Sequence, residues 1–155
     1  MDDFTASETP HAARRHWMGV LARADAQALA TRLAAIDELP RYSRLRGPES
    51  GLVMVRGRAG GNGAPFNLGE MTVTRCTVRT ADGLTGHAYV TGREMRRAEL
   101  AAVFDALLQD PARQAVLQAT VIAPLEQAQM DRRAEIAAKA AATKVNFFAM
   151  RNMRT

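Results

Sequence analysis

The chain has 155 residues and a net charge of +5, and 19 of its 21 basic residues are arginines. No apolar run approaches the roughly 20 residues a bilayer demands, and a lone Cys76 allows no internal disulfide. The three scattered histidines His11, His16 and His87 give no metal-ligand spacing. Thirty positions are alanine and only 5% are aromatic, so the expected core is helices packed closely over a sheet, in a single domain spanning residues 1–155.

Residues 1–10, polar and closed by Pro10, read as a disordered lead-in. They lack the basic-then-apolar build of a secretory signal, so a cytoplasmic location is expected. His11 to Ile36 has helical spacing: Trp17, Leu21 and Ala24 form one stripe, and Leu29, Leu33 and Ile36 continue an apolar face. Asp25 can cap a second short helix, and Pro40 ends the unit. The period then changes. Tyr42 to Arg46 is expected as a first strand closed by Gly47-Pro48, and Leu52 to Val55 as an apolar strand covered on both faces. Gly57 to Pro65 is too rich in glycine for regular structure. Phe66 to Thr80 predicts a long strand, Asp82-Gly83 a tight hairpin, and Leu84 to Thr91 the return strand. Arg93 to Gln109 is helical, with Leu100, Val103, Phe104 and Leu107 at i, i+3, i+4 and i+7. Asp110-Pro111 starts another helix, Pro124 interrupts it, and an Ala-rich helix runs to about Ala142 with Glu135 and Lys139 paired at i, i+4. The expected class is α+β: an antiparallel meander of three to four strands flanked by N-terminal and C-terminal helices.

Charge is distributed unevenly. Residues 1–40 carry 4 arginines against 6 acids, residues 41–97 carry 10 against 4, and residues 98–155 carry 7 basic against 6 acidic groups. Arginine's planar fork suits phosphate, phosphonate or carboxylate. Three places concentrate that chemistry. The loop holding Arg58, Gly60, Gly61 and Gly63 can cradle an anion with successive amides, or its glycines simply serve a hairpin turn. Period two puts Arg75 and Arg79 on one strand face, where Glu49, Glu70 or a partner's acids can neutralise them. Arg93, just before a helix, reinforces the positive end of that helix. A common surface is expected for at least two of Arg58, Arg75 and Arg93. Cys76 reads as a small buried hydrophobe, His16 as helix packing and His87 as structural. Phe147 and Phe148 can dock on the chain's own sheet or on a partner. No residue set has the spacing of a catalytic or metal site, and few lysines or interleaved aromatics speak for nucleic acid.

A colinear string of pieces covers residues 16–150. It comprises His16-Trp17-Met18 with Val20-Leu21-Ala22, Glu49 with Gly51-Leu52-Val53, Arg58 with Gly60-Gly61 and Gly63, then Phe66, Gly69, Thr74-Arg75 and Gly92-Arg93. Asp105-Ala106-Leu107, Ile122-Ala123-Pro124-Leu125 and Val145-Asn146-Phe147-Phe148-Ala149-Met150 complete it. As a set they resemble the PhnG family, components of the bacterial carbon–phosphorus lyase core complex that acts in phosphonate metabolism. The resemblance implies a chain working with partner subunits H, I and J, and with L in the activation step. Together they support displacement of adenine from C1′ of MgATP by an alkylphosphonate, giving a ribose 1-alkylphosphonate 5-triphosphate that the J partner later cleaves. MgATP is then a substrate of the complex, the nucleosidase-like chemistry belongs to the I partner, and this chain binds no cofactor and supplies no catalytic residue. Asn146 stands where the family pattern leads one to expect an acid. The alternative is a free-standing Arg-rich module for anions or nucleic acid, and self-association of the isolated chain into a homo-oligomer stays open.

Overall fold

The computed structural model describes residues 9–60 and 62–145. Gly61, Phe147 and Phe148 lie outside them. Helix α1 (Thr9–Arg23) and helix α2 (Ala26–Ala34) part at Asp25, whose carboxylate accepts a 2.7 Å hydrogen bond from the Gln27 amide. This is the cap that the sequence predicts, and it satisfies an amide the first helical turn would leave unpaired. Trp17, Leu21, Ala24 and Leu29 are buried as their spacing demands.

Three strands follow, β1 (Tyr42–Arg58), β2 (Pro65–Thr80) and β3 (Thr85–Thr91), paired antiparallel in the order β1-β2-β3. The meander therefore has three strands. Gly83, at φ +87°, makes the tight β2–β3 turn with its amide on the Thr80 carbonyl at 2.9 Å. Gly47-Pro48 does not close the first strand: it lies inside β1. The strand runs at the sheet edge, where a proline withholds no ladder hydrogen bond on the outer side. Register shifts between Arg44 and Arg46 and between Arg46 and Glu49, with Gly47 at φ +64°, absorb the irregularity.

Helix α3 (Met95–Leu107) lies across one face of β2 and β3. Thr74, Cys76 and Val78 of β2 and Ala88 and Val90 of β3 point into it, and Leu100, Val103, Phe104 and Leu107 are all buried. The alanines Ala98, Ala101, Ala102 and Ala106 are buried too, which lets strands and helices approach closely. Asp110 caps helix α4 (Pro111–Leu117), accepting from the Ala112 amide at 2.9 Å. Pro124 does not interrupt the chain's course. A wide π turn over Gln118–Ile122, with the Ala123 amide on the Gln118 carbonyl, carries it directly into helix α5 (Ala123–Ala142). From Asp131 onward every residue of α5 is exposed. Among the described residues no helix is long and apolar enough to cross a membrane.

One departure shapes the molecule. β3 ends at Thr91, opposite Val73, so β1 and β2 continue past it as a bare two-stranded ribbon. Leu52 to Val55, expected to be covered on both faces, lie on this ribbon, where Leu52 is 63% and Met54 51% exposed. No helix of the described chain reaches that far.

Candidate functional site

The face of the sheet away from α3 is open, and it collects part of the basic middle segment. Antiparallel sheets tolerate a solvated face. Period two along β2 brings Arg75 to that face, and the register sets Glu49 of β1 and Tyr89 of β3 on either side of it. The Arg75 Nε donates to Glu49 Oε1 at 2.8 Å, and Arg46 Nε reaches the same oxygen at 3.0 Å. One carboxylate thus serves two guanidinium groups, leaving local charge positive. Glu49 first, and Tyr89 after it, hold the Arg75 guanidinium above its ordinary pKa. Arg75 and Glu49 are 41% and 45% exposed, so the group is within reach of a ligand or partner. Glu70 is not part of it, being paired in register with Met54 on the ribbon.

The other arginines singled out by sequence stand elsewhere. Arg58 pairs with Pro65 at the ribbon tip, ten residues along β2 from Arg75, or about 33 Å at strand spacing. Its Nη1 donates to the Gly63 carbonyl at 3.2 Å. Gly60 adopts φ +62°, and a Cβ on Gly63 would come within 2.9 Å of the Ala59 carbonyl oxygen. Both glycines are accounted for by the turn. Arg93 is exposed in the turn between β3 and α3. Buried Thr74 holds that turn: its hydroxyl donates to the Gly92 carbonyl at 2.6 Å and accepts from the Glu94 amide at 3.1 Å. Arg93 therefore belongs to the α3 side of the sheet and Arg75 to the open side.

The fully buried Asp105 is the polar centre that sequence reasoning missed. Its Oδ1 accepts from Arg14 Nε at 3.2 Å and Trp17 Nε1 at 2.9 Å. Its Oδ2 accepts from Arg14 Nη2 at 2.8 Å and the His87 amide at 2.9 Å. Gln109 Nε2 bonds the Thr85 carbonyl at 2.8 Å. These side chains occupy the outer edge of β3, where another strand would otherwise pair. The available signal was a charged residue inside the apolar run Ala101 to Leu108, together with an indole N–H that burial obliges to find an acceptor.

His16 and His87 each have a partner on a neighbouring element. His16 is exposed and reaches Glu126 of α5 at 3.3 Å instead of packing in the core. His87 Nδ1 lies 3.1 Å from the Thr77 hydroxyl, a structural contact. Burial pushes the Cys76 thiol up, away from thiolate reactivity. Among the described residues no three His, Cys, Asp or Glu side chains group as a metal site. What the arrangement offers is recognition: an open basic sheet face, an apolar ribbon and a stretch of unpacked helix.

The chain as a whole is similar to known proteins. The family model described as "Phosphonate metabolism protein PhnG" matches residues 12–152. A protein of Rhizobium meliloti (strain 1021), "Alpha-D-ribose 1-methylphosphonate 5-triphosphate synthase subunit PhnG", is 48% identical over 149 residues, covering 94% of this chain and 93% of the relative.

Proposed function

Because the chain belongs to the PhnG family of phosphonate metabolism proteins, we propose that it is a non-catalytic subunit of the complex that makes alpha-D-ribose 1-methylphosphonate 5-triphosphate. The observation that carries this reading is the 48% identity to a subunit of that synthase along nearly the whole of both chains. Two features of the fold support a role in assembly. The ribbon and the outer turns of α5 expose Leu52, Met54, Phe66, Leu68, Met130 and Ile136, more apolar surface than a self-contained helix-and-sheet domain needs to leave bare.

In this role the chain works with partner subunits H, I and J, and with L in activation, in the cytoplasm. MgATP is a substrate of the complex. The reaction breaks the bond from C1′ of the ribose to adenine and forms one from C1′ to a phosphonate oxygen. The bond changes take place on partner residues. Arg75, Arg46 and Glu49 on the open face contribute contacts to partners or to the polyphosphate side of their site, and Arg58 at the ribbon tip, Arg93 in the turn before α3, and Phe147 and Phe148 near the C-terminus serve as separate partner contacts.

Adenine release from ATP and methylphosphonate tests the proposal. The purified chain alone should release none, partner subunits without it little, and the reconstituted set much more. Release by the chain alone overturns the non-catalytic role, and full activity of the partners without it overturns the subunit role. Arg75→Lys keeps the charge but loses the planar fork. It should leave the isolated fold intact and lower the activity of the complex by about tenfold. Unchanged activity would remove Arg75 from the contact.

A further inference from the structure

The run Leu52-Val53-Met54-Val55 poses a physical problem. Consecutive strand residues face opposite ways, so four apolar residues in a row call for cover on both faces of the strand. The chain's own helices supply it on neither. Leu52 and Met54 look to one side. Val53 and Val55 look to the other, and Val53 shares that side with Met71, its partner in register. Leu52, Met54, Phe66, Leu68 and Met71 are all exposed. Leu68 packs over Gly57, where a Cβ would stand 2.5 Å from its Cδ1, so the outer ribbon has a defined shape although no third strand or helix supports it. A two-stranded ribbon in water has little stability of its own.

We propose that the ribbon of residues 51–58 and 65–72 is an insertion arm, clasped on both faces by a different protein whose cleft is apolar along its walls and acidic where the tip arrives. Charge decides against a second copy of this chain. The ribbon carries Arg56 and Arg58 toward its tip and one acid, Glu70, and residues 41–97 as a whole carry 10 arginines against 4 acids. Two copies paired about a two-fold axis would lay each tip against the other's base, where Arg46 and Arg75 already share the single carboxylate of Glu49. Like charges would meet in that arrangement, which disfavours it. An acidic cleft on another subunit answers both the apolar and the basic requirement. This assignment rests on the subunit role proposed above and names the surface that performs it.

The test uses the full chain with the partner subunits of the complex. Hydrogen exchange should slow on residues 51–58 and 65–72 of both strands when the partners bind. Leu52→Ser combined with Met54→Ser should weaken association at least tenfold, because exposed anchors that become buried dominate interface energies. These side chains are exposed in the free chain, so its melting temperature should hold. Arg56→Glu with Arg58→Glu, which leaves the apolar positions untouched, should also weaken association, and added salt should weaken the wild-type contact. Association that survives both double variants, with the ribbon amides still exchanging freely, overturns the arm while leaving the subunit role standing. A wild-type chain that joins no partner overturns the subunit role and the arm with it. Ribbon protection that grows with concentration in the isolated chain assigns the surface to a second copy and overturns the proposal.

Discussion

Asp105 divides its two oxygens among four donors, from α1, α1 again through Trp17, and the backbone of β3. Removing it leaves the indole N–H and the β3 edge amide without an acceptor and takes the carboxylate from Arg14, which is 32% exposed and keeps the Thr85 carbonyl. Asp105→Ala should therefore cost about 2–4 kcal/mol, since each buried donor left unpaired costs roughly 1–3 kcal/mol. Denaturant unfolding measures it, and a loss under about 1 kcal/mol would show the network to be dispensable. Cys76 gives a second prediction at this scale. Burial raises the thiol above its ordinary 9.0, and burial followed by Glu99 raises the Tyr42 hydroxyl above 10.0. The unfolded chain therefore releases these protons first. Their contribution to stability is full below about pH 9 and is lost as pH rises through the folded values. Stability should hold from neutral pH to that point and then fall, with Cys76→Ala delaying the onset. A thiol reagent at pH 8 should react with Cys76 only on unfolding, and fast reaction with the native protein would contradict its burial.

Where α3 crosses the sheet, spacing is set by a glycine. A Cβ on Gly86 would overlap the Ala102 carbonyl oxygen and stand 2.6 Å from the Ala106 amide nitrogen, both backbone atoms that cannot rotate away. Gly86→Ala should lift α3 from β3 and cost at least about 1–3 kcal/mol, as overpacking does elsewhere. Calorimetry checks it, and an unchanged melting temperature would mean that the helix shifts freely. Signals completed within a few residues were legible in the sequence: the caps Asp25 and Asp110, the turn at Asp82-Gly83, the stripe from Leu100 to Leu107. Breakers overruled by neighbouring geometry were not. Gly47-Pro48 is absorbed by two register shifts on an edge strand, and Pro124 by a π turn. Of the site, the face carrying Arg75 followed from period two. Its partner did not, because only the strand register decides between Glu49 and Glu70. Asp105 stayed hidden because the guanidinium that reveals its role is 91 residues away in sequence.

Across the whole molecule the charge imbalance becomes a spatial one. The segment with 10 arginines against 4 acids forms the sheet and the start of α3. The sheet has one sealed margin, where Asp105 and Gln109 occupy β3, and on its other side the long strand β1 carries the ribbon. That ribbon extends roughly 25 Å past the end of β3, at about 3.3 Å per residue. It leaves the body beside Thr74, whose hydroxyl lies 3.0 Å from Ser50 of β1 and bonds both Gly92 and Glu94 ahead of α3. The ribbon is in this respect a lever and Thr74 its fulcrum. A tilt of about 10° at the root sweeps the tip through about 4 Å, given the length that strand geometry sets. A displacement imposed far out on the arm would reach the Gly92–Glu94 turn ahead of the central helix reduced in amplitude.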